Sequence, residues 1–171
     1  MRTFIAIEFS EEIKEQIVKI QRTLPEFKGK ITEKENLHLT LKFLGEVDEK
    51  ILDEIKKRLR EIKLKSFETE IKDIGMFSDR IVWLSIKNCD ELQKQIDKNL
   101  SGLFEEEKRF MGHLTIARVK SIKNKKEFLD KLNKIIIPKM KFEIKNFNLK
   151  KSILREKGPI YEDIEIYNLE I

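Results

Sequence analysis

The chain has only two histidines, and each begins the same four-residue pattern. Residues 38–41 read HLTL and residues 113–116 read HLTI, so a histidine is followed two positions later by a threonine in both. The chain has six threonines in 171 residues, so chance would place both in this way on the order of once in a thousand chains. Histidine exchanges a proton readily near neutral pH, because its ordinary pKa is about 6.5. The repeated pattern therefore predicts one site that uses an acid and a base.

The elements around the two motifs follow the same order. Hydrophobic periodicity predicts strand, helix, His-Thr strand, helix and strand over about residues 2–77, and the same series over about residues 80–149. Within the first series we predict a loop around Gly29 and a strand over residues 67–77, and within the second a helix starting at Asp90 and a strand over residues 140–149. A final strand is predicted over about residues 161–169. No low-complexity linker separates the two series. We therefore predict a single domain over residues 1–171 with an internal duplication.

Two similar units predict an α+β fold with two pseudo-symmetric lobes. In each unit a pair of helices can cover one face of a mainly antiparallel sheet of that unit. A pseudo-twofold axis between the lobes would bring the two His-Thr strands face to face across a central cleft. Residues two apart on a strand point to the same side. His38 and Thr40 on one strand, with His113 and Thr115 on the other, are therefore predicted to line this cleft.

Two imidazoles and two hydroxyls suit phosphodiester chemistry that needs no metal or cofactor. A neutral histidine can take a proton from water while a protonated one donates a proton to the leaving oxygen. The threonine hydroxyls can donate hydrogen bonds to phosphate oxygens. The alternative is a zinc site, but zinc needs three or four ligands and the chain has two histidines and one cysteine. We expect that cysteine, Cys89, to be a small buried or helix-start residue.

Composition narrows the class of protein and its partners. The formal net charge is +5, which is compatible with an anionic substrate such as RNA. No apolar run approaches the roughly 18 residues of a membrane span, and the first residues lack the layout of a signal peptide. We therefore expect a cytoplasmic protein that acts as a monomer and has no membrane partner.

Several stretches of the sequence resemble a known family. They are MRTFIAIEF, ENLHLTLKFLGEVDE, GMFSDRIVWLSIK, HLTIARVK, KSIL and KGPIYE. In these stretches the chain is similar to the RNA 2′,3′-cyclic phosphodiesterases, also called the 2′-5′ RNA ligase family, within the two-histidine phosphoesterase superfamily. The resemblance implies a bilobal α+β fold with the active site in the central cleft. It also implies that His38 is the proton donor and His113 the proton acceptor, an order that the two similar motifs alone leave open.

The resemblance also bears on two residues next to the second motif. Arg118 matches an arginine of the family that would grip phosphate with its planar guanidinium group. Strict alternation from His113 would place Arg118 on the opposite face, so this role requires a bulge or a strand end near Ala117. Gly112 stands where the family usually has proline, and we expect it to loosen the start of the strand.

Five other side chains near the motifs have more than one interpretation. Lys42 shares the predicted face of His38, so it either contacts substrate phosphate or is a solvated lysine at the strand end. For Phe43 and Trp83 we favour core packing over contact with a base. Phe77 and Phe110 lie in loop-like positions, where contact with a base is more plausible.

The two motifs predict phosphodiester chemistry, and the resemblance implies that the reaction is hydrolysis of RNA or nucleotide 2′,3′-cyclic phosphate ends to 2′-phosphates. One alternative is the reverse reaction, which joins RNA ends through a 2′-5′ bond in the same site. A second alternative is a non-catalytic module that binds RNA or nucleotides. Turnover of a cyclic phosphate that depends on both histidines distinguishes an enzyme from such a module.

Overall fold

A computed structural model describes all 171 residues as nine strands and four helices. The strands are β1 (Arg2–Glu8), β2 (Lys28–Ile31), β3 (His38–Glu46), β4 (Phe67–Phe77), β5 (Ile81–Ile86), β6 (His113–Ser121), β7 (Met140–Ile144), β8 (Asn146–Ile153) and β9 (Ile160–Asn168). The helices are α1 (Glu11–Gln21), α2 (Glu49–Arg60), α3 (Asp90–Asn99) and α4 (Lys125–Asn133). Three helices follow a polar residue whose side chain accepts a hydrogen bond from the first turn, namely Ser10, Asp48 and Asn124.

The strands form two antiparallel sheets. The first has the order β3-β1-β8-β9 and the second the order β2-β6-β5-β4-β7. With the short edge strand β2 set aside, each sheet begins with a His-Thr strand, continues with the first strand of that unit and ends with two further strands. The predicted α+β fold with two pseudo-symmetric lobes is confirmed.

The sheets do not coincide with the two sequence units. β4 ends the first unit but pairs with β5 and β7 in the second sheet, whereas β8 pairs with β1 in the first sheet. The expectation that each unit covers a sheet of its own is therefore wrong. The reason is a tight turn at Ser78 and Asp79, which both have positive φ, where the Arg80 N–H donates to the Phe77 carbonyl at 2.9 Å. This turn folds β4 directly back onto β5.

Two further segments differ from the sequence prediction. Residues 140–149 were predicted as one strand, but the chain divides them between β7 in the second sheet and β8 in the first. The loop predicted around Gly29 contains β2, which pairs with β6. Gly29 has a φ of +153°, and a Cβ there would lie 2.1 Å from the Arg118 carbonyl oxygen. Only glycine lets the two strands come this close.

Each sheet is covered by one helix from each sequence unit. α1 packs beside β6 and α4 beside β4, whereas α2 packs beside β9 and α3 beside β3. Each sheet therefore contacts a helix from both sequence units, and one cluster of 34 buried apolar residues extends through both lobes. None of the four helices combines the length and the apolar character that a membrane crossing requires.

Candidate active site

A cleft of about 620 Å³ lies between the two sheets, and both His-Thr motifs line it. His38 and Thr40 project from β3, and His113 and Thr115 project from β6. The apolar residues between and after them are buried in the core, namely Leu39, Leu41, Leu114 and Ile116. The alternation read from the sequence thus anchors each strand in the core and leaves the polar pair at the cleft.

Each His-Thr strand contains a β-bulge directly after its threonine. In β3, Thr40 pairs with Ala6 and Lys42 with Ile5, which leaves Leu41 without a partner. In β6, Thr115 pairs with Trp83 and Ala117 with Val82, which leaves Ile116 without a partner. A bulge adds one residue and shifts the side-chain alternation that follows it.

The bulge decides which later residues reach the cleft. Arg118 lines the cleft, although strict alternation from His113 would have placed it on the opposite face. The equivalent residue of β3 is Phe43, which also lines the cleft and is 70% exposed. The core packing that we expected for Phe43 is therefore wrong, because the sequence gives no sign of the bulge at Leu41.

Both imidazole rings are held by the same backbone contact. Nδ1 of His38 lies 2.8 Å from the carbonyl oxygen of Asn36, and Nδ1 of His113 lies 2.7 Å from that of Met111. A carbonyl oxygen only accepts hydrogen bonds, so Nδ1 carries a hydrogen in both rings. Nε2 is therefore the nitrogen that can exchange a proton with a substrate.

The His38 ring is enclosed by aromatic side chains. The centroids of the Phe4 and Tyr161 rings each lie 5.1 Å from that of His38, and Nε2 lies 3.0 Å from Oγ1 of Thr40. Burial lowers the pKa of His38, and the negative charge of Glu8, which lies opposite it on β1, acts in the other direction.

The surroundings of His113 are simpler. The Phe77 and His113 rings are nearly perpendicular with centroids 5.2 Å apart, and the Phe77 centroid also lies 5.1 Å from that of Trp83. Trp83 is half-buried against Phe77 and is not part of the buried apolar cluster, so the core packing that we expected for Trp83 is wrong. Phe77 lies beside the ring of His113, so its predicted contact with a base stays a prediction.

Cationic side chains line the cleft, and three of them influence the same tyrosine. Burial raises the pKa of Tyr161, while the charges of Arg118, Arg2 and Lys30 oppose this shift. Arg109 also lines the cleft. Positive charge is therefore concentrated where an anionic substrate would bind. No group of three or more His, Cys, Asp or Glu side chains is arranged to hold a metal ion.

Two other expectations near the motifs need correction. Lys42 lines the cleft, as its predicted face requires, but its ammonium group is neither solvated nor free to contact phosphate, because it is buried against Asp97. Gly112 does not loosen the start of β6, because it is buried and its carbonyl accepts a hydrogen bond from the Ile86 N–H at 2.9 Å. A Cβ at residue 112 would lie 2.5 Å from the Ile86 carbonyl oxygen, so the close approach of the two chains requires glycine.

Sequence reasoning missed several residues that line the cleft. Phe4 alternates with the core residues of β1, and Tyr161 lies in the stretch KGPIYE, which was quoted only for its resemblance. Arg2 and Lys30 gave no sequence signal beyond their charge. Phe110, which was considered for contact with a base, does line the cleft.

Comparison with known protein families finds one family that matches each half of the chain. The family described as LigT like Phosphoesterase matches twice, over residues 7–83 and over residues 85–161. The chain belongs to the LigT-like phosphoesterases. The resemblance stated from the sequence is thereby confirmed.

Relatives of this LigT-like phosphoesterase extend over nearly its whole length. The RNA 2′,3′-cyclic phosphodiesterase of Methanocaldococcus jannaschii is 43% identical, covering 96% of this chain and 99% of the relative. The protein of the same name from Archaeoglobus fulgidus is 37% identical, covering 98% and 99%. The crystal structure of Escherichia coli LigT complexed with 3′-AMP superposes with a TM-score of 0.79 at 25% identity, covering 99% of this chain and 98% of that one.

Proposed function

We propose that this LigT-like phosphoesterase hydrolyses RNA or nucleotide 2′,3′-cyclic phosphate ends to 2′-phosphates without a metal or cofactor. The observation that carries the proposal is the presence of both imidazoles in one cleft, each oriented through Nδ1 so that Nε2 remains available. The relatives named RNA 2′,3′-cyclic phosphodiesterase support the same reaction.

In the proposed step, water attacks phosphorus and the bond from phosphorus to O3′ breaks. Nε2 of His113 takes a proton from the attacking water, and Nε2–H of His38 donates a proton to O3′. One water molecule is added overall, which leaves a 3′-hydroxyl and a 2′-phosphate. A bound phosphodiester anion favours the charged form of His38, which opposes the effect of burial on its pKa.

Four further residues would bind the substrate. The guanidinium group of Arg118 can contact two phosphate oxygens at once. The hydroxyls of Thr40 and Thr115 can donate to the oxygens on which negative charge grows. The exposed ring of Phe43 offers a flat apolar surface at the cleft on which a base can stack.

The direct test is turnover of an oligonucleotide with a 2′,3′-cyclic phosphate end in the presence of a chelator. His38→Ala and His113→Ala should each lower kcat by about 100-fold to 10,000-fold, because general acid and base catalysis each contribute on this scale. Circular dichroism verifies that both variants are folded. Wild-type activity in either variant would contradict the proposal.

A second substrate separates the two roles. When sulfur replaces O3′ in the cyclic phosphate, the leaving thiolate needs no proton. We expect this substrate to restore much of the activity of His38→Ala and none of that of His113→Ala. The opposite pattern would reverse the assignment of donor and acceptor.

The predicted alternatives are outcomes of the same assays. Joining of RNA ends through a 2′-5′ bond would show that the reverse reaction also proceeds in this cleft. Binding without turnover, unchanged by loss of both histidines, would indicate a non-catalytic module. The cytoplasmic location and the monomeric state stay predictions from the sequence.

A further inference from the structure

A buried ion pair beside the cleft joins a strand of the first sequence unit to a helix of the second. Nζ of Lys42, on β3 of the first sheet, lies 2.5 Å from Oδ1 of Asp97 on α3, and the two side chains are only 3% and 5% exposed. Nζ of Lys42 also donates to the carbonyl oxygen of Glu105 at 2.6 Å. The strand that carries His38 is thus tied to α3 and to the segment that follows it.

Asp97 extends this contact toward the second histidine. Its Oδ2 accepts hydrogen bonds from Nε2 of Gln93 and from the backbone N–H of Glu107, both at 2.9 Å. The segment held at Glu107 continues to Met111, whose carbonyl oxygen accepts the hydrogen bond from Nδ1 of His113. The ion pair therefore lies between the strand of one histidine and the backbone group that orients the other.

The fold does not itself require charged residues at this place. In the second His-Thr strand the residue equivalent to Lys42 is Ala117, which is fully buried. The helices α1 and α3 can be aligned by their buried residues, because Ile13-Lys14 of α1 corresponds to Leu92-Gln93 of α3. In this alignment Asp97 corresponds to Val18. The equivalent place in the other half thus has two small apolar residues.

This asymmetry argues against stability as the reason for the ion pair. A buried ion pair contributes little to stability compared with apolar residues of similar size, because both charges lose their hydration. The ion pair instead fixes the relative positions of the segments that it joins, since the Asp97 carboxylate accepts hydrogen bonds from three separate parts of the chain.

We propose that Lys42 and Asp97 are positioning residues that hold His38 and His113 at the separation that one phosphate requires. The inference rests on the proposed function, in which both imidazoles act on the same phosphorus. A misplacement of about 1 Å can lower the rate of a positioned reaction about 100-fold. Neither residue needs to touch the substrate for this effect.

The test compares three variants under conditions in which urea titration shows them to be fully folded. Lys42→Met keeps most of the apolar side chain and removes the charge, and Asp97→Asn keeps one carbonyl oxygen. Arg58→Met is the matched control, because Arg58 on α2 also holds the end of α3, at the carbonyl oxygens of Asn99 and Ser101, but is not linked to the cleft. Should neither ion-pair variant fold, Gln93→Met is the milder variant, because it removes only one hydrogen bond to the Asp97 carboxylate.

We expect kcat to fall about 100-fold in Lys42→Met and about tenfold in Asp97→Asn. KM should change much less, because the groups that would contact the substrate remain. Arg58→Met should keep the wild-type kcat and lose only stability. Wild-type kcat in the folded ion-pair variants, or a loss equal to that of Arg58→Met, would overturn the proposal.

A second measurement is independent of activity. In protein with ¹⁵N-labelled histidine, the Nδ1–H resonance of His113 should shift and exchange faster with water in Lys42→Met, because the Met111 carbonyl is displaced. The same resonance should be unchanged in Arg58→Met. An unchanged His113 resonance in Lys42→Met would overturn the positioning role, even if the wild-type protein proved to have no activity on cyclic phosphates.

Discussion

The strands that carry the two histidines are alike in backbone and unlike in chemistry. β3 and β6 have the same order of buried, half-buried and exposed residues at all nine positions, and each bulges after its threonine. At the exposed position after the bulge, however, β3 presents Phe43 and β6 presents Arg118. The duplicated backbone therefore fixes where side chains enter the cleft, and the residues at equivalent positions give the two walls different tasks.

The environments of the two rings differ in the same way. The residue opposite His38 on the neighbouring strand is Glu8, whereas the residue opposite His113 is Ser85. Burial lowers the pKa of His38, and Glu8 opposes that shift. A carboxylate beside one of two similar imidazoles is a simple means of separating an acid from a base.

The largest expected effect of a substitution in the cleft is at Arg118, the charged residue of β6 that has Phe43 as its equivalent on β3. Arg118→Gln should lower kcat/KM by about 100-fold to 1,000-fold, because a charged donor to the phosphate is lost where negative charge grows. Steady-state kinetics on a cyclic-phosphate oligonucleotide measures this. Lys120→Gln, on the same strand but outside the cleft, should be close to wild type. Equal effects of the two substitutions would mean that Arg118 adds only general positive charge.

The residues that precede the two histidines should respond to alanine for opposite reasons. Leu37→Ala empties a core position and should lower the free energy of unfolding by about 2–5 kcal/mol. Gly112→Ala places a Cβ 2.5 Å from the Ile86 carbonyl oxygen and should cost about 1–3 kcal/mol by overpacking. Urea denaturation measures both. A neutral Gly112→Ala would show that β6 can move away from β5 without cost.

Phe43→Ala should affect substrate binding more than chemistry. We expect KM to rise about tenfold with little change in kcat, because base stacking on an aromatic ring contributes about 1–3 kcal/mol. Ile166→Ala, another exposed apolar residue that lies on β9, is the control. An unchanged KM would assign base contact to Phe110 or to other aromatic residues of the cleft.

The smallest expected effect concerns Glu8. Its negative charge raises the pKa of His38, so Glu8→Gln should lower that pKa further. Less of the proton donor is then charged at a given pH above its pKa, and kcat/KM should fall a few-fold near pH 8 and less near pH 6. Histidine NMR titration measures the shift, with His113 in the same molecule as the reference. A rise in the pKa of His38 would contradict this account.

Much of the local structure was predictable, since periodicity and capping act within a few residues. The predicted strand over residues 67–77 and the helix starting at Asp90 agree with β4 and α3. The strands of the first and second sheets could not be assigned in this way. Alternation reveals which side of a strand is apolar but not which neighbour it pairs with, so β4 and β8 were assigned to the wrong sheets.

The site residues, too, were predictable only where their placement depends on local sequence. His38, Thr40, His113 and Thr115 were placed on one cleft because residues two apart share a face of any strand. The requirement for a bulge before Arg118 was predicted, but the same bulge in β3 was not, so Phe43 was assigned to the core although it lines the cleft. Register shifts arise from the pairing of two strands and leave little trace in either sequence.

The sequence by itself determined the duplicated motif, the order of most elements and the family of the chain. These depend on residue identity and on short-range periodicity. The tertiary structure alone decided that the units exchange strands, that Phe43 and Arg118 both line the cleft, and that Lys42 of one unit pairs with Asp97 of the other. These depend on contacts between residues far apart in the chain, and their geometry exists only after both sheets have packed on the common core.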